Sequence, residues 1–314
     1  MKTLLALLLA LAGAAAAHAQ QADFKVTLLG TGSPPPILKR FGPAVLVQAG
    51  KETLLIDCGR GCTQRLAQSN VKLGAIDALF ITHLHSDHIV GIPDLWLTGW
   101  LDSPFGTRAQ PLKVWGPAGS KAMMENMQKT FQWDIDTRVA DQNLSRAAAG
   151  INAVDMEAGV IYERNGVRVS AIAVDHGDLI KPAFGFRIDY DGRSVVLSGD
   201  TRFSENLIKH ASGVDVLVHQ VAMAKDELLA KSERVRTILA HHTKPQEAGT
   251  VFARAQPRLA VYYHLVLQGE PGVPAPTEKD VEAATRATYA GPLVVGEDMM
   301  SFAIEKDAVR PIKN

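Results

Sequence analysis

Three imidazoles and a carboxylate fall within six residues in His83-Leu-His85-Ser-Asp87-His88. That donor set suits a zinc ion, which takes nitrogen ligands together with some oxygen. The cluster follows the apolar run Ala78 to Thr82, which is short enough for a buried strand. At a strand end, alternation points His83 and His85 the same way, and the turn into the next helix can swing Asp87 and His88 toward an adjacent point. Exposed histidines packed without an ion would repel once protonated, so a metal site is the reading that accounts for the clustering. One such cluster cannot complete two ion shells. Three further donors, His176, Asp200 and His264, follow predicted strands ending at Val174, Ser198 and Tyr263. Any one of them alone reads as a cap or a packed polar residue. Three at equivalent positions read as ligands gathered into one cleft.

Other residues carry weaker signals. Cys58 and Cys62 are too few for a structural zinc site. They read either as a local disulfide in an oxidising compartment or as two small buried thiols. Trp96 and Trp100, at i and i+4 of one helix, read first as core packing and second as the wall of an aromatic pocket. Arg202 is either solvated or close to a substrate anion. His241 and His242 lie just ahead of a helix beginning near Pro245, where a histidine can simply cap the helix end.

The elements that must hold these residues are short and mixed. Phe24 to Leu29, Ala44 to Ala49 and Thr53 to Ile56 read as antiparallel strands at one edge of a sheet. Helices are expected at Cys62 to Ser69, Pro93 to Trp100 and Pro117 to Phe131, with a strand at Leu112 to Trp115. Asp134 to Gly159 shows no clear pattern. Strands then follow at Val167 to Val174, Phe184 to Tyr190, Ser194 to Ser198, Val214 to His219 and Leu259 to Tyr263. Helices are expected at Glu205 to His210, Ala224 to Lys231, Gln246 to Ala255 and Thr277 to Tyr289, with two closing strands near Leu293 and Phe302. This order fits the α/β class, as two mixed sheets each covered by helices in a four-layer αββα sandwich.

Composition narrows the partners. The 314 residues carry 33 Lys+Arg against 33 Asp+Glu and are 46% hydrophobic, which excludes a disordered chain. A protein that grips a polyanion such as tRNA by charge usually shows a basic surplus, so no nucleic-acid partner is expected. At the N-terminus, Lys2 precedes fourteen apolar residues from Leu4 to Ala17, and Ala17-His18-Ala19 supplies a small-residue cleavage pattern. The run is too short to span a bilayer, which takes roughly twenty residues, and reads as a cleaved signal peptide over 1–19. The mature chain, 20–314, is then one domain with 32 basic and 33 acidic residues. It is expected in the periplasm or secreted, without a stable membrane anchor, and a homodimer is compatible with it.

Six segments in order resemble the motifs of the metallo-β-lactamase superfamily: Leu29-Gly-Thr-Gly-Ser-Pro34, Leu55-Ile-Asp57-Cys-Gly59, Thr82-His-Leu-His-Ser-Asp-His88, Asp175-His176-Gly177, Ser198-Gly-Asp200-Thr201 and Tyr263-His264. More narrowly, the chain is similar to the branch that contains ribonuclease Z and the exported zinc arylsulfatases, from about Leu28 to its end. The resemblance implies the αββα fold and a hydrolase domain with two Zn²⁺ ions, Mn or Fe also suiting these donors. It assigns His83, His85 and His176 to one ion and Asp87, His88 and His264 to the other, with Asp200 bridging. Asp57 becomes a support for the metal loop. Asp87 and a cleft histidine, His242 with His241 as the alternative, are the residues implied in the chemistry.

Two departures choose among reactions. Ribonuclease Z inserts a basic arm between the motifs at His176 and Asp200, whereas 23 residues lie there in this chain and two predicted strands use them. Ribonuclease Z also pairs its cleft histidine with a Glu, where this chain has His219-Gln220, and Gln cannot hold an imidazolium by charge. Both favour an arylsulfatase-like hydrolase that attacks a small anionic aryl sulfate ester with a metal-bridging hydroxide. The alternatives are a phosphodiesterase of ribonuclease Z type, a β-lactamase or lactonase, and a non-catalytic periplasmic zinc-binding protein.

Overall fold

A computed structural model describes residues 22–312. The expected signal peptide, 1–19, lies outside them. In chain order the first half comprises β1 (Phe24–Gly30), β2 (Ala44–Ala49), β3 (Glu52–Ile56), α1 (Cys62–Gln68), β4 (Ala78–Phe80), α2 (Ser86–Ile89), α3 (Ile92–Trp100), β5 (Leu112–Gly116), α4 (Ser120–Thr130), α5 (Gln132–Gln142) and β6 (Ile151–Asp155). The second half begins with β7 (Gly159–Arg164), β8 (Val167–Val174), β9 (Ala183–Tyr190), β10 (Arg193–Leu197), α6 (Glu205–Ala211), β11 (Val216–Met223), α7 (Asp226–Lys231) and α8 (Glu233–Ala240). It closes with α9 (Pro245–Ala255), β12 (Leu259–Leu267), α10 (Glu278–Arg286), β13 (Leu293–Val295), β14 (Ser301–Ile304) and β15 (Val309–Ile312).

Among the described residues the strands form two sheets, in the orders β15-β14-β1-β2-β3-β4-β5-β6 and β13-β12-β11-β10-β9-β8-β7. Each sheet is antiparallel on one side and parallel on the other, with β3 to β6 parallel in the first and β10 to β13 in the second. The two sheets share one apolar core, in which Phe24, Val26, Phe80, Phe186, Val218 and Phe302 are buried. Helices α1, α3, α4 and α5 cover the outer face of the first sheet around Trp96, and α6, α9 and α10 cover the second around Phe252. The chain is an αββα sandwich.

The elements follow from their residues. β11 reads VLVHQVAM and only Met223 reaches solvent, as a central parallel strand covered on both faces requires. Pro245 opens α9 in its first turn, where its missing N–H costs nothing. At α10, Thr277 and Asp280 cap each other, the Thr277 N–H donating to Asp280 Oδ2 at 2.7 Å.

Several expectations change. β1, β2 and β3 are interior strands, because the C-terminal hairpin β14–β15 pairs with β1 and takes the edge. The unreadable stretch from Asp134 holds most of α5 and all of β6, and β7 begins at its end. Both strands lie at sheet edges and are largely exposed, so no buried face marks them in the sequence. The closing strands are split, β13 joining the second sheet while β14 and β15 join the first. Trp96 and Trp100 are core residues whose indole N–H groups donate to the carbonyls of Ala149 and Ser145.

Phe80 ties the sheets together. Its ring lies 5.5 Å from Trp115, 5.7 Å from Tyr162 and 5.7 Å from Phe186. Phe80→Ala should lower unfolding stability by about 3–5 kcal/mol in a urea titration. A loss below about 1 kcal/mol would show that the aromatic cluster repacks without it.

Candidate metal centre

Loops at the C-terminal ends of strands in both sheets carry the predicted residues. Asp57 follows β3, the His83–His88 segment follows β4, His176 follows β8, and Asp200 follows β10. His264 departs from expectation, since it lies inside β12 rather than after it. Gln220 pairs with Tyr263 and Val221 with Leu265, which leaves His264 as the extra residue of a β-bulge with φ of 43°. The bulge turns its ring out of the pleat and toward the cleft, a use of strain met at functional sites.

The seven residues converge. Side-chain donor atoms of His83, His85 and His176 lie within 4.8 Å of one another, as do those of Asp87, His88 and His264. Asp200 sits between the groups: its Oδ2 is 4.0 Å from His83 Nε2, 3.7 Å from His176 Nε2, 3.6 Å from His88 Nε2 and 3.0 Å from His264 Nε2. All except His85, which is open to the cleft, are buried.

Each inward ring is held by its other nitrogen. His83 Nδ1 bonds Thr82 Oγ1 at 3.0 Å, His88 Nδ1 bonds Asp57 Oδ2 at 2.7 Å, His176 Nδ1 bonds the His241 carbonyl at 2.8 Å, and His264 Nδ1 bonds the Gly32 carbonyl at 2.6 Å. Thr82 Oγ1 itself donates to Asp57 Oδ2, so it accepts from His83. In all four rings Nδ1 therefore carries a proton, and Nε2 faces the centre, where His264 Nε2 lies 3.0 Å from the Asp200 carboxylate and a cation would take the place of any proton on it. His85 differs, presenting Nδ1 at 2.9 Å from His83 Nε2.

Asp57 organises the metal loop as the sequence reading placed it. It is 1% exposed and accepts from the Thr82 N–H, the Thr82 hydroxyl and His88. The loops pack so closely that a Cβ on Gly59 would lie 2.3 Å from the Asp87 carbonyl oxygen. Cys58 and Cys62 are buried and unbridged.

The donors fit divalent ions. His88 Nε2 and Asp200 Oδ1 are buried without a hydrogen-bond partner, as inward-facing ligand atoms would be. Burial pushes His83 well below its ordinary pKa and His176 down to about 4, keeping both neutral and able to ligate. Burial opposes a charge on His88, yet Asp200 and Asp57 outweigh it and raise the ring well above its usual value. The centre thus favours positive charge at a point ringed by lone pairs, which is what a cation supplies.

His242 stands beside the centre, 8% exposed, with its Nδ1 at 2.9 Å from Gln220 Oε1. Gln220 is fully buried, and its amide donates to the Thr201 carbonyl at 2.8 Å. That bond fixes the amide, so Oε1 accepts from His242 and leaves its Nε2 lone pair free. His241, the alternative, also lines the cleft, and its ring centroid lies 5.0 Å from that of His176. Arg202 instead donates to the Ala240 carbonyl and pairs with Asp175. Pro34, the end of the first motif, also lines the cleft, and the other lining residues, Pro35, Arg234, Ile238, Val266 and Gln268, come from separate elements and form no motif that the sequence shows.

The model of a family described as Anti-Pycsar protein Apyc1 matches residues 24–246. Ribonuclease Z of Mycolicibacterium gilvum strain PYR-GCK is 37% identical over 276 residues, covering 88% of this chain and 94% of that protein. Among solved structures, the metallo-β-lactamase fold protein YhfI of Bacillus subtilis superposes with a TM-score of 0.68 at 18% identity, over 88% of this chain and 98% of its own. The short form of human tRNase Z superposes at 0.64 with 24% identity, over 90% and 99%. The expectation of no nucleic-acid partner is overturned by these relatives, two of which are named as ribonucleases. It rested on net charge, a whole-chain sum that says nothing about charge placed locally in a cleft. With a sequence match and a fold match that each span nearly its whole described length, the chain belongs to the family of metal-dependent hydrolases of the metallo-β-lactamase fold that ribonuclease Z and the Apyc1 model represent.

Proposed function

We propose that the chain is a phosphodiesterase of ribonuclease Z type that hydrolyses RNA phosphodiester bonds at a two-ion centre. One observation carries this reading: two triads of converging donors, His83, His85 and His176 beside Asp87, His88 and His264, with Asp200 between them, in a chain 37% identical to a ribonuclease Z. Each triad would hold one Zn²⁺, Mn²⁺ or Fe²⁺ ion, with Asp200 bridging. Bound ions would supply Lewis acidity and a water of lowered pKa. The protein's part is to orient ligands through Asp57, Thr82 and Gly32, to keep His83 and His176 neutral by burial, and to set His242 beside the substrate. The N-terminal segment 1–19 would direct the chain to the periplasm or outside the cell, leaving 20–314 as the hydrolase domain.

His242 gives the reading its particular form. Burial pushes it down to about 3, and Gln220 holds its Nδ1–H without adding charge. A neutral ring with a free Nε2 accepts a hydrogen bond or orients water, but donates a proton poorly at neutral pH. A second reading is favoured by the same contact: an activated aryl ester, such as an aryl sulfate, whose leaving group needs little protonation. The segment between His176 and Asp200 is taken up by β9 and β10, which leaves no inserted arm.

The metal-loaded protein should hydrolyse bis(p-nitrophenyl) phosphate and an RNA oligonucleotide, with p-nitrophenyl sulfate turned over at least about tenfold more slowly. A dominant sulfatase rate would instead establish the second reading. Asp200→Ala should abolish the bridging position, so that metal analysis finds fewer than two ions per chain and activity falls at least about a hundredfold. Two retained ions would contradict the ligand assignment. Gln220→Glu should place a charge behind His242 and raise kcat on the RNA bond about tenfold relative to the nitrophenyl ester. An unchanged ratio would remove His242 from leaving-group chemistry.

A further inference from the structure

The cavity over the metal centre, about 260 Å³, has an outer half that the hydrolytic chemistry does not use. Pro34 and Pro35 of the β1–β2 loop, Ile238 of α8 and Val266 of β12 give it apolar surface. Arg234 of α8 and Gln268, just past β12, give it a polar edge. Proline and aliphatic surface beside a polar edge suits a planar ring that is covered on its faces by apolar contact and read along its rim.

The hydrogen bonds along that edge decide what it reads. Arg234 Nη2 donates to Glu270 Oε1 at 3.0 Å, and Nη1 reaches Gln268 Oε1 at 3.4 Å. Ser232 Oγ donates to the same Glu270 oxygen at 3.1 Å. Arg234 thus engages both the carboxylate and the Gln268 carbonyl. At Arg234 and Gln268, the two polar residues of this edge that line the cavity, these bonds leave over donors, the remaining guanidinium N–H groups and the Gln268 amide NH₂, while the unused Glu270 Oε2 belongs to a residue outside the lining. A donor-rich edge matches a ring that presents adjacent acceptors, as guanine does with O6 and N7, and is mismatched to the amino group of adenine.

We propose that this outer half is a base subsite in which Arg234 and Gln268 select a guanine-like, acceptor-bearing nucleobase beside the scissile phosphate. The proposal rests on the phosphodiesterase reading and adds to it the identity of the flanking group. Arg234 is exposed, and its pairing with Glu270 at 3.0 Å orients it toward the base.

The test compares guanosine and adenosine 5′-p-nitrophenyl phosphates on the metal-loaded full chain. KM for the guanosine ester should be about tenfold lower, the discrimination expected of one good bidentate contact. Arg234→Ala and Gln268→Ala should each bring the ratio close to one, and Gln268→Glu, which adds an acceptor, should move it toward adenosine. Equal KM values in the wild type, or a preference surviving both alanine variants, overturns the subsite. If neither ester is hydrolysed, the phosphodiesterase reading falls alone, and calorimetry with GMP and AMP on the same protein decides the subsite. Tighter GMP binding that Arg234→Ala removes upholds it, and equal binding overturns it.

Discussion

A carboxylate buried inside a ring of imidazoles governs this structure. Asp200 is 2% exposed, and its Oδ2 lies within 4.0 Å of ring nitrogens from His83, His88, His176 and His264. Withdrawing such a charge from water costs several kcal/mol unless positive charge meets it. His83 and His176 are held neutral by burial and meet it with lone pairs, so the balance falls to His88, His264 or a cation. The upward shifts of His88 and His264 express the same demand, because the carboxylates draw a proton where a cation belongs. Ion binding and the stability of this side of the sandwich would therefore be one problem, since without an ion the charge stays unbalanced.

Meeting that demand requires rings that cannot turn, which is where the fold enters. Each Nδ1 is tied to an acceptor on a different element: Thr82 after β4, Asp57 after β3, the His241 carbonyl after α8, and Gly32 after β1. Two of the residues involved adopt positive φ, Asp57 at 56° and His264 at 43°. A backbone in that region costs of order 1–3 kcal/mol and persists only where its surroundings over-determine it. Here the two sheets clamp both positions, and the shared core around Phe80 and Tyr263 joins the sheets directly beneath the centre.

Legibility from the sequence tracks locality. The His83 to His88 segment could be read because four donors lie within one turn of chain, and the central buried strands because their apolar runs are bounded by Gly and Pro. His176 and Asp200 were legible as residues just past such runs. His264 was found at the right residue for the wrong structural reason, since no local pattern announces a bulge set by β11 across the ladder. Edge strands β6 and β7 gave no pattern because little of either is buried. Most of the pocket wall was invisible, as Ile238, Val266 and Gln268 meet only through tertiary folding.

Net charge misled for a related reason. A balanced chain argues against a protein that binds a polyanion along its whole surface, where neutralised phosphates add up over many Lys and Arg. On the proposed reading, positive charge would gather at one point, in the ions that Asp200 and its neighbours would hold, and few basic side chains would be needed to engage a single phosphate. Those placed near the cleft are individually restrained, Arg234 by Glu270 and Arg202 by Asp175. Restraint of this kind trades long-range attraction for orientation. It suits a cleft whose selectivity comes from hydrogen-bond geometry at one nucleotide rather than from an extended basic footprint.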